Sequence, residues 1–536
     1  MAVIRLAGFA GENRALEPSL LPDNVGVLSR NQKPGRGDLR PWKTPVQVAT
    51  VPAGRSTIYR MGRDVASDAQ YWLSWPSVVH AVRGFDAEDT TERTFYTGDG
   101  PPKVTDNVMA LSSAPYPSTN RPLGLPAPTS APAVAVASAG TDAAAVETYF
   151  YAYTYVNDWG WESAPSPPSA QIDRKSDGTT TISGFSAPPS GNYQINRIRV
   201  YRTQSGSTGT EFYFLREIAY GTASTTDDNR SLGEVLPTAT WLVPPDDLSR
   251  LTPLWNGMLA GISGNSVRFC EAYVPYAWPI AYDVVPPDSK PVALGVFGQS
   301  LLVLTTGRPL LVSGSSPDGM DQQPLEIQQG CAAPRSVVSM GNGVAWASED
   351  GLVWYGSGGA RILTAGLMLR EDWQALVPSS IIGQMYEGLY FGSYDDGSGR
   401  KGFFIDPSGP NGIYFMDAGY AALHFDQLKD QLYVLDDTSI KKWDAGSLMT
   451  ARFKSKAFRA PKPINFSAAE VVASSYPVIC RIYADGVLKH TQSVTGQTPF
   501  RLPAGFMAQS WQIELEGVNA VQGIALATSI QELAQV

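Results

Sequence analysis

Residues 343–355 read Gly343-Val-Ala-Trp-Ala-Ser-Glu-Asp-Gly-Leu-Val-Trp-Tyr355. The runs Gly343–Ala347 and Gly351–Tyr355 are too short for helices, and Asp350-Gly351 is a hairpin turn pair. The stretch therefore predicts a β-hairpin whose Trp354 packs against a neighbouring sheet. The same unit recurs across 250–450, for example in Leu259–Ile262, Ser300–Thr305, Leu389–Tyr394, Gly402–Ile405 and Gln431–Leu435. Short strands with Gly or Asp turns between them, and almost no helical period, predict a β-propeller with blades of about 40–45 residues. One helix is expected at Glu371–Leu376, stopped by Pro378.

Working outward, the fold class is all-β. It comprises a β-propeller body, an inserted fibronectin III-like β-sandwich and a C-terminal β domain. Residues 1–54 hold Pro18, Pro22, Pro34, Pro41, Pro45 and Pro52, which forbid a long helix or a central strand. An extended N-terminal arm is expected there, lying on the body or on a neighbouring subunit. Residues 55–125 read as the first part of the propeller. Prolines between 113 and 134 mark a linker. Residues 126–248 form the expected sandwich insertion, where Tyr149, Tyr151, Tyr153 and Tyr155 alternate onto one face. That tyrosine row suits a sandwich core or a subunit contact better than a sugar-binding face. Residues 249–450 are the main part of the propeller, and 451–536 a C-terminal sandwich or closing sheet. Within it, Asp485-Gly486 marks a second two-residue turn.

The composition excludes several chemistries. The net charge is −9, and charged residues are 17% of the 536. With no basic block, sequence-independent DNA binding lacks the Lys and Arg that neutralise phosphates. Cys270, Cys331 and Cys480 are odd in number and far apart, which suggests buried reduced thiols. His80, His424 and His490 carry no metal or triad motif. A signal peptide and an apolar run long enough to span a membrane are both lacking, so use without Sec export is expected.

A propeller raises the question of a glycosidase. Ser348-Glu349-Asp350-Gly351 approaches a sialidase-type Asp box but has the wrong spacing and no Thr. Asp227-Asp228, Asp246-Asp247, Asp395-Asp396 and Asp436-Asp437 are adjacent pairs, and adjacent side chains on a strand point to opposite faces. Asp395-Asp396-Gly397-Ser398-Gly399 reads as a hairpin tip, since it lacks the spacing of a calcium loop. Asn229-Arg230-Ser231 and Asn465-Phe466-Ser467 match the glycosylation sequon, which has no meaning without export. No catalytic, cofactor-binding or metal-ligating residue is assigned, no cofactor is expected, and the chain reads as no enzyme.

Several stretches together carry a resemblance. They are Leu21-Pro22-Asp23 through Leu39-Arg40-Pro41-Trp42, Ala277-Trp278-Pro279, and Gly307-Arg308-Pro309-Leu310 with Ser313-Gly314-Ser315. To these are added Cys331-Ala-Ala-Pro-Arg335-Ser-Val-Val338, Ala347-Ser-Glu-Asp-Gly-Leu352 and Lys441-Lys442-Trp443-Asp444. The set resembles the tail nozzle (tail hub or tail tubular) proteins of short-tailed bacteriophages of the podovirus type, over the arm and the 250–450 body. The resemblance implies a structural virion protein, made in the host bacterial cytoplasm and built into the tail as a homohexameric ring. Such a ring continues the portal–adaptor channel, retains the packaged genome and conducts double-stranded DNA during ejection. Its implied partners are further copies of itself, the head-to-tail adaptor, and tail fibres or spikes, with no membrane span. The 126–248 sandwich departs from the pattern, since not all nozzles carry one. A receptor-binding or fibre-docking tail component is the alternative, and a polysaccharide-degrading propeller enzyme a third.

Overall fold

The 343–355 stretch forms the hairpin that its residues specify. Gly343–Ala347 pairs antiparallel with Leu352–Gly356, placing Ala345 opposite Trp354. Val338–Ser339 and Gly359–Ile362 complete a four-stranded sheet. Gly343 is demanded by close approach: a Cβ there would lie 2.2 Å from the Trp354 ring and 2.5 Å from the Tyr355 carbonyl. Gly343→Ala is therefore expected to cost about 1–3 kcal/mol through overpacking. The check is a lower urea midpoint with an unchanged slope.

In the computed structural model, residues 3–62, 67–86, 88–206, 209–228, 231–314 and 319–533 are described. Ser315, Asn229 and Arg230, named in the sequence reading, lie outside them. Strand makes up 46% and helix 4%, so the protein is all-β. The expected helix is a single turn, Arg370–Gln374. Its Trp373 is buried and donates from Nε1 to the Ser348 carbonyl at 2.9 Å. The chain divides into two units. Unit 1 is Met1–Pro76, Asp288–Leu311 and Gln323–Val536, and unit 2 is Ser77–Pro287 and Val312–Gln322.

In unit 1, small antiparallel sheets pack in succession. Strand alternation assigns each residue to one neighbour or the other. Val344, Trp346 and Val353 meet Ala293, Leu302 and Leu304 of the hairpin formed by Pro291–Phe297 and Ser300–Thr305. The intervening Ala345, Ala347, Leu352 and Trp354 face the opposite way, onto Tyr390, Phe403 and Ile405 of the strands 382–416. Those strands form one end of a ten-stranded sheet continued by Gly26–Arg30, parallel to Tyr414–Met416, and by Ala451–Ser455. In that sheet Phe391 and Phe404 point away again, onto Leu432, Val434 and Trp443 of the 422–442 strands. Tyr433, Leu435 and Ile440 then face Ile58 and Trp72 of the pair Thr57–Arg60 and Trp72–Trp75. Burial on both faces makes these strands near-continuously apolar.

The N-terminal segment has its partners on its own chain. Val3–Leu6 pairs with Val521–Ala527, Gly26–Arg30 with Ala451–Ser455, and Val46–Thr50 with Ser439–Lys442. The last pairing supplies the fourth strand of the 422–442 sheet. Its prolines sit between these runs, while Phe9, Leu21, Val25, Leu39 and Trp42 are buried. Two sheets around 451–527 share one core, which includes Leu6, Phe453, Val471, Ile482, Trp511 and Leu526. Asp485-Gly486 makes the expected turn between Val478–Ala484 and Val487–Val494, with both residues at positive φ.

Unit 2 holds the four-stranded sheet 80–122, a three-stranded sheet formed by Ser249–Pro253, Leu259–Ser263 and Ser266–Phe269, and the strands of the insertion. In the insertion, Ala133–Ser138, Thr179–Ser183 and Ser224–Asp227 form one sheet, and Tyr151–Asn157, Ile195–Gly206 and Gly209–Ala219 another. Tyr149, Tyr151, Tyr153 and Tyr155 fill the core with Ile182, Ile198 and Val200. They are at most 6% exposed, so they offer no sugar-binding face.

Candidate functional site

The quoted motifs come to rest in packing. Arg335 of the Cys331–Val338 stretch donates from Nη2 to the carbonyls of Ser56 at 2.7 Å and Ala421 at 3.0 Å. Ser336 accepts from Ala347 N at 2.9 Å, and its carbonyl accepts from the Tyr390 hydroxyl at 2.9 Å. One short turn thus ties the 338–362, 382–416 and 422–442 sheets and the segment before Thr57. Trp42 and Trp443 meet in a core with Phe391 and Phe404, where Trp42 stacks on Phe404 at 4.8 Å. Lys442 and Lys429 both pair with Asp68, at 3.0 and 2.7 Å.

Beside this lies His424. Its Nε2 accepts from Arg60 N at 3.4 Å, and its ring meets Tyr59 and Trp72 edge-on. Burial pushes the imidazole down to about 4, with Asp426 opposing the shift and Arg60 adding to it. The unfolded chain, with His near 6.5, takes up the proton first as pH falls. The stabilising effect of neutral His424 is present above about pH 6.5 and is lost as pH falls towards 4, for about 1–3 kcal/mol. His424→Phe is expected to flatten that part of the stability–pH curve, measured by urea unfolding between pH 7 and pH 4.

The carboxylates considered for catalysis or calcium are committed elsewhere. Asp227 is buried among Arg174, Arg202 and the Tyr151 hydroxyl, while Asp228 turns out to Arg216. Asp395 and Asp396 accept from Gly397 N and Ser398 N at their hairpin tip, and Lys401 pairs with Asp396. Asp350 pairs with Arg370, and Asp436 with Lys441. Cys270, Cys331 and Cys480 are buried and free, and burial pushes the thiols of Cys270 and Cys480 up to about 12. Among the described residues, no group of three or more His, Cys, Asp or Glu is placed to hold a metal ion. No helix among them is long and apolar enough to cross a membrane.

The arrangement best suited to taking a ligand is a cleft of about 530 Å³ within unit 2, a volume in the usual range of ligand pockets. Its wall carries Trp161, stacked on Tyr276 at 4.6 Å, with Phe95 and Trp159 beside it. Burial raises the Tyr276 phenol to about 12, so it stays protonated. Phe85, Asp86, Asp89 and Arg93 also line it, all from the loop between His80–Arg83 and Thr94–Thr97 of the 80–122 sheet. Asp89 accepts from Thr91 N and Arg93 N, which lowers its carboxyl. Arg93 lays its guanidinium over the Trp159 ring at 5.4 Å, and its Nε pairs with Asp89 Oδ2 at 3.5 Å. At the rim Tyr273 is 72% exposed and edge-on to Phe85 at 6.2 Å. The sequence reading had singled out none of these residues. They come from segments far apart in the chain and follow no spacing rule.

No protein-family model matches the chain, and no curated protein matches it. Three solved structures match with low scores. A putative exported protein from Bacteroides fragilis is 10% identical, covering 46% of this chain and 86% of that one, at a TM-score of 0.25. Apo AztD from Citrobacter koseri is 13% identical, covering 67% and 100%, at 0.27. The extracellular domain of a putative hybrid two-component system from B. thetaiotaomicron is 8% identical, covering 84% and 46%, at 0.26. Scores of this size carry neither a shared fold nor an activity to this protein.

Proposed function

We propose that this protein is a structural component of a short-tailed phage tail, the nozzle that continues the portal–adaptor channel. The observation that supports it most is the succession of packed groups of short strands in unit 1, one of them completed by Val46–Thr50. That is how blades of a β-propeller pack, and a late strand paired with an early one is how such a ring closes. The 126–248 segment, with three small sheets around a tyrosine core, is read as the fibronectin III-like insertion. Copies of the chain, six in the resembling family, would form the wall past which DNA moves. The low charge suits that wall twice, since interface cores are poor in charge and a net −9 holds DNA weakly. The quoted motifs serve packing.

The test is negative-stain electron microscopy and mass photometry of the purified full chain. Sixfold rings with an axial channel are expected, and a monomer at micromolar concentration would overturn the reading. The second reading, a receptor-binding or fibre-docking tail component, is favoured by one observation, the aromatic cleft of unit 2. Deleting 126–248 separates the two. Particles that leak DNA speak for the nozzle, and intact particles that fail to adsorb speak for receptor binding.

A further inference from the structure

Tyr273 is held in place although most of it faces solvent. Its backbone sits at φ +60°, a conformation that L-residues other than Gly, Asn and Asp rarely adopt. Its N–H donates to the Gly257 carbonyl at 2.8 Å. Its ring fills the space where a Cβ at Gly257 would stand, 2.5 Å from the nearest ring carbon. A strained backbone that fixes an exposed aromatic ring is an outlier of the kind found at ligand clamps. Burial does not account for it, since the ring is 72% exposed.

What such a ring could hold follows from its neighbours. Asp86, an exposed carboxylate, and Arg93, whose Nε pairs with Asp89 Oδ2 at 3.5 Å, line the same cleft. An anionic ligand would meet Asp86 and Asp89. A cationic one would meet the Arg93 guanidinium, and a purely apolar one would cover the Asp86 carboxylate without offering it a donor. A ligand that both donates and accepts, and has an apolar face to lie on an aromatic ring, satisfies all three sides. A neutral sugar ring in its chair form has those properties. The geometry points to a carbohydrate site: the unit 2 cleft binds a neutral pyranoside stacked on Tyr273, with hydroxyls to Asp86 and Arg93. Gly257 is its positioning residue. This inference is independent of the nozzle proposal.

The experiment is saturation-transfer-difference NMR on the full chain. The probes are the methyl pyranosides of glucose, galactose, mannose, rhamnose and N-acetylglucosamine at millimolar concentration, with tetramethylammonium as the cationic comparison. At least one pyranoside should receive saturation, concentrated on the ring protons of one face, and should change the fluorescence of Trp161, which lines the cleft. Tyr273→Phe should retain the affinity. Tyr273→Ala and Gly257→Ala should weaken it by about tenfold or more, the first by removing the stacking surface and the second by displacing it. Because Tyr273 is exposed, its alanine variant should keep the parent melting temperature. Three outcomes would overturn the inference: no saturation of any pyranoside, binding undiminished in Tyr273→Ala, or binding of tetramethylammonium alone.

Discussion

Replacing Asp227 with alanine should destabilise unit 2 by about 3–5 kcal/mol, the range for breaking a buried ion pair from one side. Asp227 and Arg174 are both fully buried and pair at 3.0 Å, and Arg202 reaches the same carboxylate at 2.8 Å. The Tyr151 hydroxyl donates to it at 2.8 Å. Both guanidinium groups also lie over the Tyr149 ring, at 4.4 and 4.9 Å. Removing the carboxylate would leave two cations with no anion between them in the heart of the insertion, although Arg174 would keep Thr180 Oγ1 and the Lys175 carbonyl as acceptors. Asp227→Asn keeps an acceptor but loses the charge, and should fall between parent and alanine. Chemical denaturation followed by near-ultraviolet circular dichroism of the tyrosine core reads both. An alanine variant within 1 kcal/mol of the parent would show that water satisfies the arginines, against the burial described here.

Trp42→Ala should be comparably costly, about 3–5 kcal/mol for a fully buried indole. Trp42 is wedged among Tyr386, Phe404 and Trp443, and Lys33 lies over its ring at 4.3 Å. The loss should also be local. Trp42 N donates to Asn31 O, and the Trp42 carbonyl accepts from Met449 N, so the segment between Gly26–Arg30 and Val46–Thr50 is anchored here. Limited proteolysis should cut the variant between residues 31 and 45 well before the parent. Unfolding without such early cleavage would place the indole's role elsewhere.

The two-faced burial of unit 1 explains what could be read in advance. The hairpin at 343–356 was legible because Asp-Gly and two apolar runs leave few alternatives, and because Gly343 must make room for Trp354. The tyrosine row was legible as core, since period two puts four phenols on one side. The partners of residues 3–50 were not. Proline marks where a strand stops, and it says nothing of a partner hundreds of residues away. The motif around Arg335 could be quoted, but its tie between sheets depends on carbonyls of Ser56 and Ala421, which carry no side-chain signature. The cleft escaped for a similar reason. The interest of Tyr273 lies in a dihedral angle and in a neighbouring glycine 16 residues away, and neither has a pattern in one sequence.

The pairing of Val3–Leu6 with Val521–Ala527 fixes an order of events in time. The first strand leaves the ribosome long before its partner exists, by about half a minute to a minute and a half at ordinary synthesis rates. Gly26–Arg30 and Val46–Thr50 wait nearly as long for Ala451–Ser455 and Ser439–Lys442. During that interval three apolar strands have open edges, the state in which chains pair with the wrong neighbour. Unit 1 can therefore close only once Val521–Ala527 has been made, and until then copies growing on one message can pair with each other.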